Sequence, residues 1–167
     1  MVTNAMRILT VVLSAVVLVT GSLAATGAEL LGTSRVVFVT SKVEKFGNFE
    51  PRPNAVFQPG EEVRLYAEPT GFVTVDENRA KQIDMTTDIK VSTSDGRVLL
   101  EKKNLLTFKQ TSEKEIGNVF VNMAVNVRAT GQYILTLRLN ENSTGRYLDY
   151  SVPFLVKAQE KFATSTQ

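Results

Sequence analysis

The chain has 167 residues, 43% apolar and 22% charged, with a formal charge of +2; this describes one ordinary globular domain without the cationic excess that drives phosphate binding. It contains no cysteine and no histidine, which removes disulfides, thiolate nucleophiles, imidazole bases and the usual zinc ligands together. Without tryptophan and with only four tyrosines, it is also short of the flat rings on which sugars and bases stack. No cofactor and no nucleic-acid partner is expected.

Arg7 precedes ILTVVLSAVVLV (Ile8 to Val19), apolar apart from Thr10 and Ser14, and the chain then turns small and polar through TGSLAATGA (Thr20 to Ala28). That layout is a secretory signal peptide, so residues 1–28 are read as a leader cleaved after Ala28, with Ala24 as the other position. Read instead as a retained anchor, Ile8 to Ala25 is 18 residues, the lower edge of membrane-spanning length. Contact with a membrane is expected only through this segment, before cleavage. Arg7 is the one charge lost with the leader, so a chain from Glu29 carries 18 Lys+Arg against 17 Asp+Glu. Export without cysteine fits a bacterial envelope, where folding need not rely on disulfides, and a periplasmic or extracellular location.

From Val36 onward apolar residues recur with period two, and Gly, Pro, Asn and Asp punctuate them at strand-length intervals, the pattern of an antiparallel β domain. Val36 to Val43 is the first strand and Val63 to Glu68 the second. In Ile83 to Thr93, Ile83, Met85, Thr87, Ile89 and Val91 share one face, and Asp84, Thr86, Asp88, Lys90 and Ser92 the other. Asp95-Gly96 turns the chain into Val98-Leu99-Leu100, and a separate short strand is expected near Leu105 to Lys109. Asn118 to Arg128 alternates with Val119, Val121, Met123, Val125 and Val127 inward. Gln132 to Asn140 sends Tyr133, Leu135, Leu137 and Leu139 one way, and ENSTG (Glu141 to Gly145) closes a hairpin onto Arg146 to Val156.

About eight strands at this spacing predict an all-β fold, an immunoglobulin-like antiparallel β-sandwich over residues 29–157, with a small closed barrel as the alternative. Residues 158–167 lose the alternation and read as a polar tail.

The stretch FEPRPNAVFQPGEEVRLYAEPTGF (Phe49 to Phe72) holds four of the five prolines. Pro59-Gly60 makes a turn into the second strand, and Pro51 and Pro53 keep the preceding segment extended. Phe57 is placed to plug the end of the domain. On the strand, Val63, Leu65 and Ala67 face inward, whereas Arg64, Tyr66 and Glu68 set a cation, a phenol and a carboxylate in a row. With Glu50 and Arg52 folded back and Phe72 beyond, these six residues form the candidate site for a polar ligand or a peptide strand. The alternative is an ordinary solvated strand face.

The run F-x-P-R-x-N-x-x-F-x-P-G-E-x-V-x-L-Y-x-E-P-x-G-F, with the later G-x-Y-x-L-x-L (Gly131, Tyr133, Leu135, Leu137), resembles a group of uncharacterised exported bacterial proteins with a predicted all-β domain. The resemblance covers roughly Val36 to Val156 and implies export and a sandwich, but no activity and no assigned site.

Asp76-Glu77-Asn78 lacks the spaced acids of a dedicated calcium loop, so no metal is expected. Asn142-Ser143-Thr144 matches a glycosylation acceptor and reads as a turn. Glu50, Glu68, Asp84 and Asp88 are the carboxylates open to glycoside hydrolysis, but Asp84 and Asp88 lie roughly 13 Å apart along one strand. The expectation is therefore a non-catalytic envelope domain that binds a protein, peptide or cell-wall component. The alternatives are a carboxylate-based hydrolase and a structural or assembly subunit that pairs through an exposed strand edge.

Overall fold

The computed structural model describes residues 30–158; the expected leader and residues 159–167 of the expected tail lie outside them. The described chain is all-β, with nine strands: β1 (Gly32–Val39), β2 (Val56–Phe57), β3 (Glu62–Thr70), β4 (Val73–Val75), β5 (Lys81–Thr93), β6 (Val98–Ser112), β7 (Val121–Asn126), β8 (Gly131–Glu141) and β9 (Arg146–Val156). They form two open sheets rather than a closed barrel. One has three strands in the order β1-β3-β7; the other has six, β2-β9-β8-β5-β4, with β6 on the far side of β5. All pairings are antiparallel except β2 with β9.

The alternation read from the sequence sets the core. Leu135, Leu137 and Leu139 of β8 and Met85, Ile89 and Val91 of β5 are buried, and the register brings Ile89 opposite Leu137 and Val91 opposite Leu135. Val63, Leu65 and Ala67 of β3 and Val121, Met123 and Val125 of β7 face them from the smaller sheet in one hydrophobic cluster. One end is closed by aromatic rings: Phe57 meets Phe38 at 5.4 Å and Phe154 at 5.8 Å, both edge to face, a favoured ring geometry.

Two turns depend on glycine. Gly71 has φ 74°, and a Cβ there would collide with the Leu30 carbonyl. Gly131 has φ 152°, and a Cβ would press on the Tyr133 hydroxyl at 3.3 Å. That hydroxyl donates back to the Ala129 carbonyl at 2.9 Å and so pins the loop entering β8 to the strand itself.

The first strand, expected at Val36 to Val43, is shifted to Gly32–Val39, where it pairs with β3. Val98–Leu100 and Leu105–Lys109 are not two strands but parts of one 15-residue strand, β6. They are joined by a bulge: Leu106 pairs with Thr87 and Lys102 with Ile89, so Lys103, Asn104 and Leu105 share the space opposite Asp88. Asn104 takes a left-handed φ of 52°, a conformation asparagine tolerates, and its N–H donates to Asp88 Oδ1 at 2.8 Å. Lys103, Asn104 and Leu105 are thus a bulge within one strand rather than a break between two. The short β2 and β4 carry no sequence signal.

Phe57, 1% exposed, occupies the expected plug position. Phe57→Ala is expected to cost about 3 to 5 kcal/mol by chemical denaturation, the range for removing a fully buried ring.

Candidate functional site

The six expected site residues do not form one site. Phe72 is buried in the main core, because the β3–β4 turn folds it inward. Glu50 accepts a hydrogen bond from the Thr40 hydroxyl at 2.9 Å, beside the Val39–Pro51 bridge. Arg64 pairs with Glu62 on its own strand.

Arg52 works as a clamp. Its guanidinium lies 4.2 Å over the Phe57 ring, donates to the Val56 carbonyl from Nε (3.1 Å) and NH2 (2.8 Å), and reaches Glu61 at 2.5 Å. Glu61 also accepts the Gln58 N–H at 2.8 Å. Burial opposes ionisation of Glu61, but the Gln58 N–H and Arg52 outweigh it and hold the carboxyl below its ordinary range. Proline, arginine and glutamate thus build a corner around Phe57, with Nε, NH1 and NH2 of the guanidinium each bonded to one of the protein's own groups.

Tyr66 and Glu68 do stay together, but inside the protein. The outward side of β3 is covered by the segment 40–50, so that Tyr66 (0% exposed) forms a second small core with Val39 and Val43. Phe49 packs on the Tyr66 ring at 4.6 Å and Phe120 at 5.7 Å. The Gly47 N–H donates to the Tyr66 hydroxyl at 2.9 Å, which donates to Glu68 Oε1 at 2.8 Å. Ser34 Oγ donates to Glu68 Oε2 at 2.7 Å. Burial first, and the Glu68 carboxylate beside it, push the phenol above its ordinary range. This chain of donors fastens a loop to a sheet. The reading of Tyr66 and Glu68 as members of a solvated face is thereby overturned: period-two alternation marks which side a residue takes, not whether a distant loop covers that side.

The carboxylates open to hydrolysis are divided between opposite surfaces. Glu68 lies on the outward side of the small sheet; Asp84 and Asp88 lie on the outward side of the large one, about 10 Å of packed core or more away. Asp84 binds Lys109 at 2.8 Å and Asn142 Nδ2 at 2.7 Å, which lower its pKa. Asp76 Oδ1 accepts the Asn78 and Ala80 N–H groups at 2.9 and 2.8 Å, an Asx turn.

The outward face of the six-stranded sheet carries an organised surface that the sequence reading left unassigned. Along β8 the outward residues are Gln132, Ile134, Thr136, Arg138 and Asn140. Arg138 Nε and NH2 grip both Asp149 oxygens, at 2.7 and 2.8 Å, and lie 4.3 Å over Tyr147. The bidentate contact raises the Arg138 pKa and lowers that of Asp149. A cleft of about 110 Å³ opens here, bounded by Asp88, Lys90, Glu101, Lys103, Arg138 and Asp149. Four residues back along β8 from Arg138, Ile134 joins Val56, Pro153 and Leu155 in an apolar groove of about 450 Å³. The hairpin ENSTG held the signal for this face, since counting back from it places Arg138 against Asp149.

The chain matches no protein-family model and no curated protein, so the comparisons assign no activity to this surface.

Two outcomes follow from the buried polar groups. Tyr66→Ala is expected to cost about 3 to 5 kcal/mol, as for any fully buried ring, and Tyr66→Phe about 1 to 2, for the lost hydroxyl contacts; thermal or denaturant melts read both. Glu141, 0% exposed, accepts from the backbone N–H of Ser143 at 2.9 Å and of Thr144 at 3.1 Å, and from both hydroxyls. Burial opposes its ionisation, but those donors prevail and lower its pKa. Its folded pKa lies below the unfolded value of about 4.3, so the stabilisation is complete above about pH 5 and is lost as pH falls through the folded pKa. Melts of wild type and Glu141→Gln should differ at neutral pH by about 1.5 to 3 kcal/mol and converge on acidification.

Proposed function

We propose that this is an exported, non-catalytic immunoglobulin-like β-sandwich protein that binds an envelope protein, peptide or cell-wall component through the outward face of its six-stranded sheet. The observation that carries the reading is the adjacency of two features on that face: Ile134, which lines an apolar groove with Pro153 and Leu155, stands two residues along β8 from Thr136, which lines the charged cleft with Lys90, Arg138 and Asp149. An apolar centre beside ordered charge is the make-up of a recognition surface. The Tyr147 ring, 59% exposed, adds an amphipathic contact stacked on Arg138.

Three features support the immunoglobulin-like assignment. The sheets are β1-β3-β7 and β2-β9-β8-β5, the latter continued by β6 on the far side of β5 and by the short β4, the split expected if β8 and β9 are the last hairpin of such a domain. The first edge segment of the larger sheet, β2, runs parallel to the last strand, β9. Tyr133, near the start of β8, bonds to the backbone four residues upstream, as a tyrosine corner does. Export rests on the leader-like residues 1–28 and on the absence of cysteine.

The test is capture from envelope extract of the producing cells, with wild type, Ile134→Arg and Arg138→Ala compared side by side. Arg138 is a surface group, so Arg138→Ala should keep the melt within about 0.5 kcal/mol. Both variants should lose the wild-type partner. Capture undiminished in both variants would overturn the assignment of this face, and an exported product whose intact mass begins at Met1 would overturn cleavage.

A further inference from the structure

The small sheet ends at β7, which among the described strands pairs only with β3, and the large sheet ends above it at β6, which pairs only with β5. Between these open edges lies a groove of about 360 Å³, lined mainly by Val43, Leu106, Phe108, Val119, Phe120 and Asn122. Its apolar residues come from both sides of the small sheet. Leu106 and Phe108 belong to the inward row of β6 and pack on the main core; Val43 and Phe120 belong to the outer cluster around Tyr66. A strand laid along β7 sends alternate side chains to these two sides, and each side offers apolar partners.

Asn122 supplies a second, independent observation. Its amide nitrogen donates to the Val43 carbonyl at 3.1 Å, yet its Oδ1 is buried without a hydrogen-bond donor. Native proteins rarely leave such an acceptor unmatched. Lys42, at the rim, has no carboxylate within ion-pair distance among the described residues.

We propose that this groove accepts an extended segment of a partner protein as a fourth strand on β7. The open backbone edge calls for an extended chain. Apolar lining on both sides calls for a continuous apolar run of about four to six residues rather than an alternating one. Lys42 calls for a carboxylate at one end of that run. The neighbouring edge of β6 is a poorer acceptor, because Lys102, Lys103 and the Asn104 bulge interrupt it. The groove shares no residue with the outward face assigned above, so either assignment can fail without the other.

The probe is a fluorescein-labelled peptide with a Val-Ile-Val-Phe core and two aspartates at its C-terminus, compared with a version ending in two lysines and one N-methylated at alternate backbone nitrogens. Fluorescence anisotropy reads affinity, and amide hydrogen exchange reads where the peptide lies. The acidic probe should bind saturably and slow exchange within Val121–Asn126, and N-methylation should weaken it at least about tenfold through the lost edge bonds. Lys42→Glu, an exposed change, should weaken the acidic probe about two- to five-fold and favour the lysine probe. Leu106→Asp should abolish binding, whereas Leu105→Asp on the exposed neighbour should not. No saturable binding up to about 1 mM, indifference to N-methylation, or slowed exchange away from β7 would each overturn the proposal.

Discussion

A three-stranded sheet laid on a six-stranded one covers the aliphatic rows of β5 and β8 but runs out before it reaches β6. The rest of the molecule is arranged around that shortfall in width. Where both layers are present, inward residues are sealed: Leu135, Leu137 and Leu139 are 0% exposed. On β6 the inward row continues through Leu100, Leu106 and Phe108, and each is only half-buried. The long edge strand therefore carries apolar surface that no second layer caps, with lysines and a bulge spaced along it, as edges that must not pair at random usually do.

The small sheet compensates on its other side. Three strands give it little area, and its outward face would be thin if left to solvent. The segment 40–50 folds across it and turns that face into a second core around Tyr66. The closing contacts are polar and directional, Gly47 to Tyr66 to Glu68 with Ser34 completing the carboxylate, because a loop has no ladder of its own and must borrow donors and acceptors from the sheet.

How much of this was legible in the sequence divides along the range of the interaction. Strands β5, β8 and β9 of the large sheet were, because their period-two pattern is local and β8 and β9 are joined by a short hairpin that sets their register. The corner was legible in part: proline and glycine placed the turn and Phe57 the plug, but nothing in F-x-P-R told that Arg52 would curl over Phe57 and onto Glu61. The fate of Tyr66 was not legible, since it depends on a loop some twenty residues upstream and on Phe120 more than fifty residues downstream. The same limit hid the bulge of β6, which exists because Asp88 on the neighbouring strand accepts the Asn104 N–H.

Glu141 shows how a local and a tertiary demand meet in one residue. It continues the inward series of Tyr133, Leu135, Leu137 and Leu139, opposite Met85, where an aliphatic side chain would extend the core by one more row. A carboxylate there has to be neutralised by donors, and the nearest are the N–H and hydroxyl groups of Ser143 and Thr144, with Arg146 at 3.6 Å. Satisfying the charge forces the chain to turn at once, which ends β8 and starts β9 in a fixed register. That register, carried down the hairpin, sets Arg138 against Asp149 and Ile134 against Pro153. The buried charge at the tip thus determines how the charged and apolar halves of the outward face are aligned.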